Sequence, residues 1–367
     1  MVRIVFFGPV NSGKSTLVNA ICGQEVSLVS PVPGTTTDPV RKRVELPFGI
    51  GPALVVDTAG LDDRGILGPE RRRRTLAEAD SADVAVVLVT DDGPGESEAL
   101  VESLEKAHIP VVTVSARGGE SVESVLRRIA AALPSDEERF LTGDLVKEGD
   151  SVLLVMPQDS EAPKGRLILP QVNVLRELLD RGCVPHCCTP ATLSKAIASL
   201  GQAPDLVITD SQVFGFVDSS IPRNWPLTSF SVLLAAAKGD VSVFVEGAVA
   251  MDTLTESSRV LIADACTHVP DTEDIGRVKI PALLRKKAGE GLRVDISAGN
   301  DFPETLEGYD LVIHCGACVA TAGVLRGRIR KALLDGVPIT NYGIAIAKLQ
   351  GILGRISIPR QYNEMKK

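Results

Sequence analysis

Short, nearly unbroken apolar runs recur along the chain, each followed by a stretch whose apolar positions repeat at helical spacing. The first third reads as the strands "VRIVFFG", "LVVDTAG", "VAVVLVTD" and "IPVVTV", with helices predicted over "TLVNAICG", "ESEALVESLEKAH" and "SVESVLRRIAAALP". After a polar stretch the pattern resumes with "SVLLVMP", a helix in "LPQVNVLRELLDRG", the strand-like "CVPHCCT", a helix in "ATLSKAIASLG" and the strand "DLVITDS". A third series follows, with strands "SRVLIADAC", "LRVDISAG", "YDLVIHCG" and "VPITNYG" around helical "RVKIPALLRKKAG" and "VLRGRIRKALLDG". Runs without polar alternation belong to strands covered on both faces, so the pattern predicts an α/β fold with parallel sheets.

Length fits this division, because 367 residues exceed what one core usually holds. The expected boundaries are a first domain over 1–134, a linker over 135–150 ("LPSDEERFLTGDLVKEGD" is polar and carries Pro and Gly), a middle unit over 151–238 and a third over 239–367. A formal charge of -8 argues against nucleic acid or an anionic membrane as a partner. No apolar run reaches bilayer-spanning length, and the chain opens directly on a strand in place of a signal peptide, so the expected compartment is the cytoplasm. Seven cysteines in a reducing compartment are expected to be metal ligands, reactive thiols or buried small hydrophobes.

The first chemistry-bearing motif is "GPVNSGKST", G-x-x-x-x-G-K-[ST] from Gly8 to Ser15, in its proper strand-to-helix context. In such a loop Asn11, Ser12, Gly13, Lys14, Ser15 and Thr16 surround phosphates, Lys14 neutralises the β- and γ-phosphates, and the Ser15 hydroxyl ligates Mg²⁺. In "PGTTTD", Thr35 and Thr36 stand where a switch loop completes the Mg²⁺ shell. In "LVVDTAG", Asp57 takes the Walker-B position and Gly60 the γ-phosphate-sensing one. Together these resemble a translation-factor-like GTPase, with Lys14, Thr36, Asp57 and Gly60 as its catalytic set. Leu61 occupies the place of the water-orienting glutamine of small GTPases, and Asn11 resembles the asparagine with which one GTPase subgroup holds K⁺. Slow, K⁺-stimulated hydrolysis is the expectation.

The nucleotide domain has a piece missing. The strand "IPVVTV" should lead to N-K-x-D, which reads the guanine edge, but runs straight into "SARGG", where Ser115 and Ala116 match the following S-A loop. A helix and an edge strand are absent with it, which leaves guanine selectivity open. The run Arg71 to Arg74 points all round a helix and reads as a solvated surface.

Two cysteine motifs fall at predicted strand ends of the third unit. Cys266 and His268 ("DACTH") follow one strand, and His314, Cys315 and Cys318 ("HCGAC") follow another. In an open parallel sheet ligands sit beyond the carboxyl ends of the strands. Three Cys with one His suit structural Zn²⁺; three thiolates with a non-cysteine fourth ligand equally suit a 4Fe-4S cluster. The middle segment holding Cys183, His186, Cys187 and Cys188 reads as buried small hydrophobes on a strand, because adjacent side chains face opposite ways.

A P-loop domain, an α/β unit, then C-x-H with a distant H-C-x-x-C resembles the FeFe-hydrogenase maturation GTPases. The resemblance covers essentially the whole chain, most specifically at "GTTTDPV", "APKGRLILPQV", "LVITDSQV", "CTHVPDTEDIGRVKIP", "IHCGACV" and "TNYGIAI". It implies a 4Fe-4S cluster on Cys266, Cys315 and Cys318 with an exchangeable fourth ligand, His268 first and Asp271, Glu273 or water behind it, while His314 orients its neighbours. It further implies a homodimer through the middle unit, GTP/GDP as a switch, and a carrier that receives a two-iron subcluster precursor made with radical-SAM maturases and passes it to apo FeFe-hydrogenase. The alternatives are a scaffold whose shortened nucleotide domain no longer switches, and a zinc-bound GTPase unrelated to hydrogenase.

Overall fold

The structure is a computed structural model; it describes residues 2–360 apart from 24–38, 61–74, 76–77, 80, 91–94, 134–139, 159–164, 166, 266–273, 300 and 319. It divides into two compact units, residues 1–137 with 321–327 and residues 138–320 with 328–367.

The first unit is a five-stranded sheet. β1 (Val2–Phe7), β2 (Val40–Leu46), β3 (Gly51–Asp57), β4 (Val84–Val89) and β5 (Val111–Ser115) lie in the order β2-β3-β1-β4-β5. All neighbours are parallel except the antiparallel pair of β2 and β3. The strand "VAVVLV" is central and buried on both faces, whereas "VRKRVEL" alternates and takes the edge. Helices α1 (Lys14–Cys22), α2 (Glu96–Lys106) and α3 (Val122–Ala132) cover the faces. One core gathers Ile4, Val18, Val86 and Ile129, the other Val5, Val87, Leu100 and Leu104. Among the described residues no sixth strand follows β5: Ser121 caps α3 by accepting the Ser124 N–H, and the chain turns straight into that helix.

The second unit holds two four-stranded parallel sheets of identical topology. The middle one joins β6 (Ser151–Val155), β7 (Val184–Cys188), β8 (Leu206–Thr209) and β9 (Leu227–Ser229) in the order β7-β6-β8-β9. The other joins β10 (Arg259–Ala263), β11 (Arg293–Ser297), β12 (Leu311–His314) and β13 (Ile339–Asn341) in the order β11-β10-β12-β13. In chain order their helices are α4 (Leu169–Asp180), α5 (Leu193–Ser199), α6 (Phe214–Ser220), α7 (Phe230–Lys238), α8 (Val241–Gly247), α9 (Ile280–Ala288), α10 (Ala322–Leu334) and α11 (Tyr342–Leu349). The pseudo-repeat extends to its caps. Ser229 at the end of β9 accepts the Val232 N–H to start α7, and Asn341 at the end of β13 accepts the Ile344 N–H to start α11. The Asn341 amide also donates to the Ser231 carbonyl and hydroxyl, tying the two sheets together.

The stretch expected as a linker is partly built into this unit. Glu177 of α4 accepts the Thr142 N–H, Arg181 donates to the Gly143 carbonyl, and Val146 is buried in the middle core. Its polar composition is satisfied by these partners, not by solvent alone. No helix among the described residues is long and apolar enough to cross a membrane.

Candidate functional site

Two sites emerge, one in each unit. In the first, the loop after β1 reverses the chain through left-handed backbone at Asn11 (φ 60) and Gly13 (φ 89), so that α1 starts at Lys14 with its open N–H groups facing the loop. The Lys14 ammonium is folded over the loop, donating to the carbonyls of Gly8 (3.0 Å) and Pro9 (2.6 Å). Ser15 Oγ donates to Asp57 Oδ2 at 2.7 Å, so the predicted Mg²⁺ ligand and Walker-B carboxylate meet. The Ser12 hydroxyl is buried beside them and has no partner among the described residues. Gly60 is required by close approach: a Cβ there would lie 2.8 Å from Val10 N and 2.9 Å from Val10 Cα. Thr16 is exposed, and Thr35, Thr36 and the arginine run fall outside the described residues.

Ser115 and Ala116 lie where β5 ends. The Ala116 N–H donates to the Val89 carbonyl at 2.9 Å, continuing the β4/β5 ladder, and Ser115 Oγ accepts the Arg117 N–H. Neither group is directed to a base by these bonds.

In the second unit β10 lies between β11, which follows it in the chain, and β12, which comes later. The carboxyl ends of β10 and β12 thus form the point where strand order reverses, where open α/β sheets bind ligands. Ala263 pairs with His314 across it, and the Cys315 N–H donates to the Ala263 carbonyl at 3.0 Å. The Ala265 N–H donates to Cys315 Sγ at 3.1 Å, and the Ala317 N–H reaches the same sulfur at 3.4 Å. The two cysteine motifs therefore converge at the residue preceding Cys266, although Cys266, His268, Asp271 and Glu273 themselves lie outside the described residues. Cys315 and Cys318 are both partly accessible. Backbone donors aimed at a sulfur favour its thiolate, which is the form that binds metal.

Beneath the cysteines lies a buried polar network of which the sequence pointed only to His314. His314 is fully buried, with Nδ1 at 2.7 Å from the Cys315 carbonyl and Nε2 at 2.9 Å from Arg328 Nη1. Arginine can only donate, so Nε2 accepts and Nδ1 carries the proton. Burial and the guanidinium together push the imidazole pKa down to about 3. With both nitrogens engaged, His314 orients the Cys315 backbone and is not placed as a ligand. Arg328 also donates to the carbonyls of Asp264 and Gly299 and stacks on Phe302. Asp264 accepts the Tyr342 hydroxyl at 2.6 Å, and burial with that carboxylate raises the phenol pKa well above its ordinary value. Beyond His314, the sequence signals for this layer are "IADAC" and "TNYG", which place Asp264 and Tyr342 at ends of adjoining segments.

The middle cysteines differ from expectation. Cys183 is buried and donates to the Lys147 carbonyl, but Cys187 is exposed and Cys188 half-buried, because β7 is an edge strand. Burial pushes the Cys188 thiol up to about 11. Among the described residues no three or more His, Cys, Asp or Glu are gathered to hold a metal ion, here or elsewhere.

Comparison with known proteins matches three family models in succession: a 50S ribosome-binding GTPase over residues 3–117, a Hydrogen maturase F dimerization domain over 141–239 and a Hydrogen maturase F tetramerization domain over 242–359. The tRNA modification GTPase MnmE of Erythrobacter litoralis (strain HTCC2594) is 34% identical over 143 residues, 36% of this chain and 32% of that protein. That of Methylobacterium sp. (strain 4-46) is 38% identical over 141 residues, 35% and 32% of the respective chains. The chain thus spans about a third of the length of these curated relatives. Among solved structures, Aquifex aeolicus Era bound to GDP.AlF4- aligns over 54% of this chain and 98% of its own, at 18% identity and TM-score 0.28. NFeoB from S. thermophilus bound to GDP.AlF4- and K⁺ aligns over 36% and 62%, at 19% identity and TM-score 0.23.

Proposed function

The chain belongs to the hydrogen maturase F family, a hydrogenase maturation GTPase with dimerization and tetramerization domains behind its GTPase domain, and from that premise we propose that it is a GTP-switched carrier whose third sheet holds a 4Fe-4S cluster. The observation that carries the reading is the convergence at the β10/β12 switch point, where the Ala265 N–H meets Cys315 Sγ. A C-x-x-C pair on a turn with backbone donors to sulfur is a donor set that suits such a cluster. Cys315, Cys318 and Cys266 would hold it, with His268, Asp271, Glu273 or water at the fourth position. When bound, a cluster with one iron lacking cysteine supplies an attachment point for incoming metal cargo.

The protein's own residues do the rest. His314 and Arg328 fix the Cys315 backbone, and the partly accessible cysteines leave room for a two-iron subcluster precursor, the cargo, to arrive from radical-SAM maturases and leave for apo FeFe-hydrogenase. In the nucleotide domain Lys14, Ser15 and Asp57 would bind the phosphates and Mg²⁺ of GTP, with Thr35 and Thr36 from the switch loop. Asn11, left-handed at the loop's apex, would hold K⁺. Homo-oligomers built through the middle and third domains, acting in the cytoplasm, complete the reading.

Anaerobic purification followed by iron and sulfide analysis with EPR tests it. The wild-type protein should carry iron and acid-labile sulfide in equal amounts, and Cys315→Ala should carry neither. Zinc in their place, or full iron and sulfide in Cys315→Ala, overturns the assignment. A second reading is favoured by one observation, the passage of the chain from β5 straight into α3 with no further strand among the described residues: a scaffold whose nucleotide domain no longer reads guanine.

A further inference from the structure

The loop carrying Cys315 and Cys318 is held by a residue from outside its own domain. α7 belongs to the dimerization domain and ends at Lys238. A lysine in the last turn of a helix commonly serves that helix's own open carbonyls. Here the helix end is closed by the Gly239 N–H on the Ala235 carbonyl, and the lysine reaches elsewhere. Its ammonium donates to the carbonyls of Ala317 (2.6 Å), Cys318 (3.1 Å) and Ala320 (3.0 Å). Three donors meet three acceptors, so the ammonium is saturated by this one loop.

The loop needs such a hold. Ala317 sits in the left-handed region (φ 51), a conformation that a side-chain-bearing residue keeps only when its surroundings impose it. Its N–H points to Cys315 Sγ while its carbonyl accepts both Lys238 and the Ala320 N–H. Burial lowers the ammonium's pKa, and the nearby Cys318 and Cys315 sulfurs act in the opposite sense.

We propose that Lys238 is a positioning residue for the cysteine loop: it sets the loop in its metal-receiving shape before any metal arrives and holds a positive charge against the two sulfurs. Resting on the reading that Cys315 and Cys318 ligate a cluster, it adds that the dimerization domain supplies part of that site's scaffold and field. A nearby cation stabilises the more negative, reduced state of a thiolate-bound cluster, so its removal moves the reduction potential down.

Two measurements on the full-length protein test this, with Lys238→Met removing the charge at similar length and Lys238→Arg restoring it. In metal-free protein, hydrogen–deuterium exchange of residues 316–318 and 320 should quicken at least tenfold in Lys238→Met, with β12 unchanged and Lys238→Arg near wild type. Unchanged exchange overturns the positioning role. In reconstituted protein, an EPR-monitored redox titration should give a more negative midpoint for Lys238→Met and a near-wild-type one for Lys238→Arg; equal midpoints for all three overturn the electrostatic role. Should Lys238→Met fail to fold, Lys238→Gln, which keeps two of the three N–H donors without the charge, provides both comparisons. If no variant, wild type included, takes up iron and sulfide, the cluster reading fails, while the exchange result still decides the role of Lys238 in the loop.

Discussion

Replacing His314 by glutamine isolates the cost of keeping a neutral imidazole beneath the cysteine loop. The native pKa is about 3, against 6.5 for an unconstrained histidine. Between those values the unfolded chain binds a proton that the native state refuses, so stability falls as pH drops. One pKa unit corresponds to about 1.4 kcal/mol, and from pH 7 to pH 5 the loss integrates to about 2 kcal/mol from this residue alone. Glutamine can accept from Arg328 and donate to the Cys315 carbonyl as the imidazole does, but has nothing to titrate. Trp225, the single tryptophan, lies in the same unit and reports its unfolding. Urea titrations of metal-free protein followed by its fluorescence should therefore show wild type losing about 2 kcal/mol more than His314→Gln between pH 7 and pH 5. Carboxylates with lowered pKa values, such as Asp252 near 2, titrate below this window and are common to both proteins. Equal losses in the two proteins would refute the argument, because the imidazole would then ionise alike in both states.

Two predictions concern the nucleotide site. Gly60→Ala places a methyl group against the Val10 backbone, displacing the phosphate loop; overpacking of this kind costs about 1–3 kcal/mol, and calorimetry should show GTP affinity at least tenfold weaker, an unchanged affinity sinking the close-approach argument. Wild-type protein should bind GTP by the same method and hydrolyse it faster in KCl than in NaCl; binding of neither GTP nor ATP favours the non-switching scaffold, and equal rates remove Asn11 from any K⁺ site.

How much of this was legible beforehand follows from the range of each interaction. The phosphate loop is local: Gly8 to Ser15 carry their own turn, and the flanking strand and helix read directly from periodicity. The meeting of the β10 and β12 ends was legible because parallel strands project their carboxyl ends together, and it brings residue 265 to Cys315. Lys238 was not, since a lysine closing the apolar stretch "FSVLLAAAK" resembles any solvated helix end until the fold brings residue 317 beside it. Arg328 was hidden for the same reason, midway along "VLRGRIRKALLDG" among other basic residues. Cys187 was misread because edge and central positions of a strand cannot be told apart by composition, and the bonds that Glu177 and Arg181 make to Thr142 and Gly143 are equally beyond the reach of local sequence.

The sheet order explains why losing a strand can separate phosphate recognition from base recognition. The phosphate loop leaves β1, Asp57 ends β3, and Leu88 of β4 lies against Gly8, so the walls of that site come from three adjacent central strands. Strands are spaced about 4.8 Å apart, which puts any strand beyond β5 about 14 Å from β1, outside the reach of the loop. Removing it costs the phosphate site none of the bonds described above: Lys14 still covers Gly8 and Pro9, and Ser15 still meets Asp57. The base end has no such insulation, because the residues that would read guanine belong to the ends of β5 and of the missing strand. There the Ala116 N–H continues the β4/β5 ladder onto the Val89 carbonyl. On this geometry the expected outcome is nucleotide binding that still depends on Lys14 and Ser15, and calorimetry with GTP against ATP measures how much base preference the shorter sheet retains.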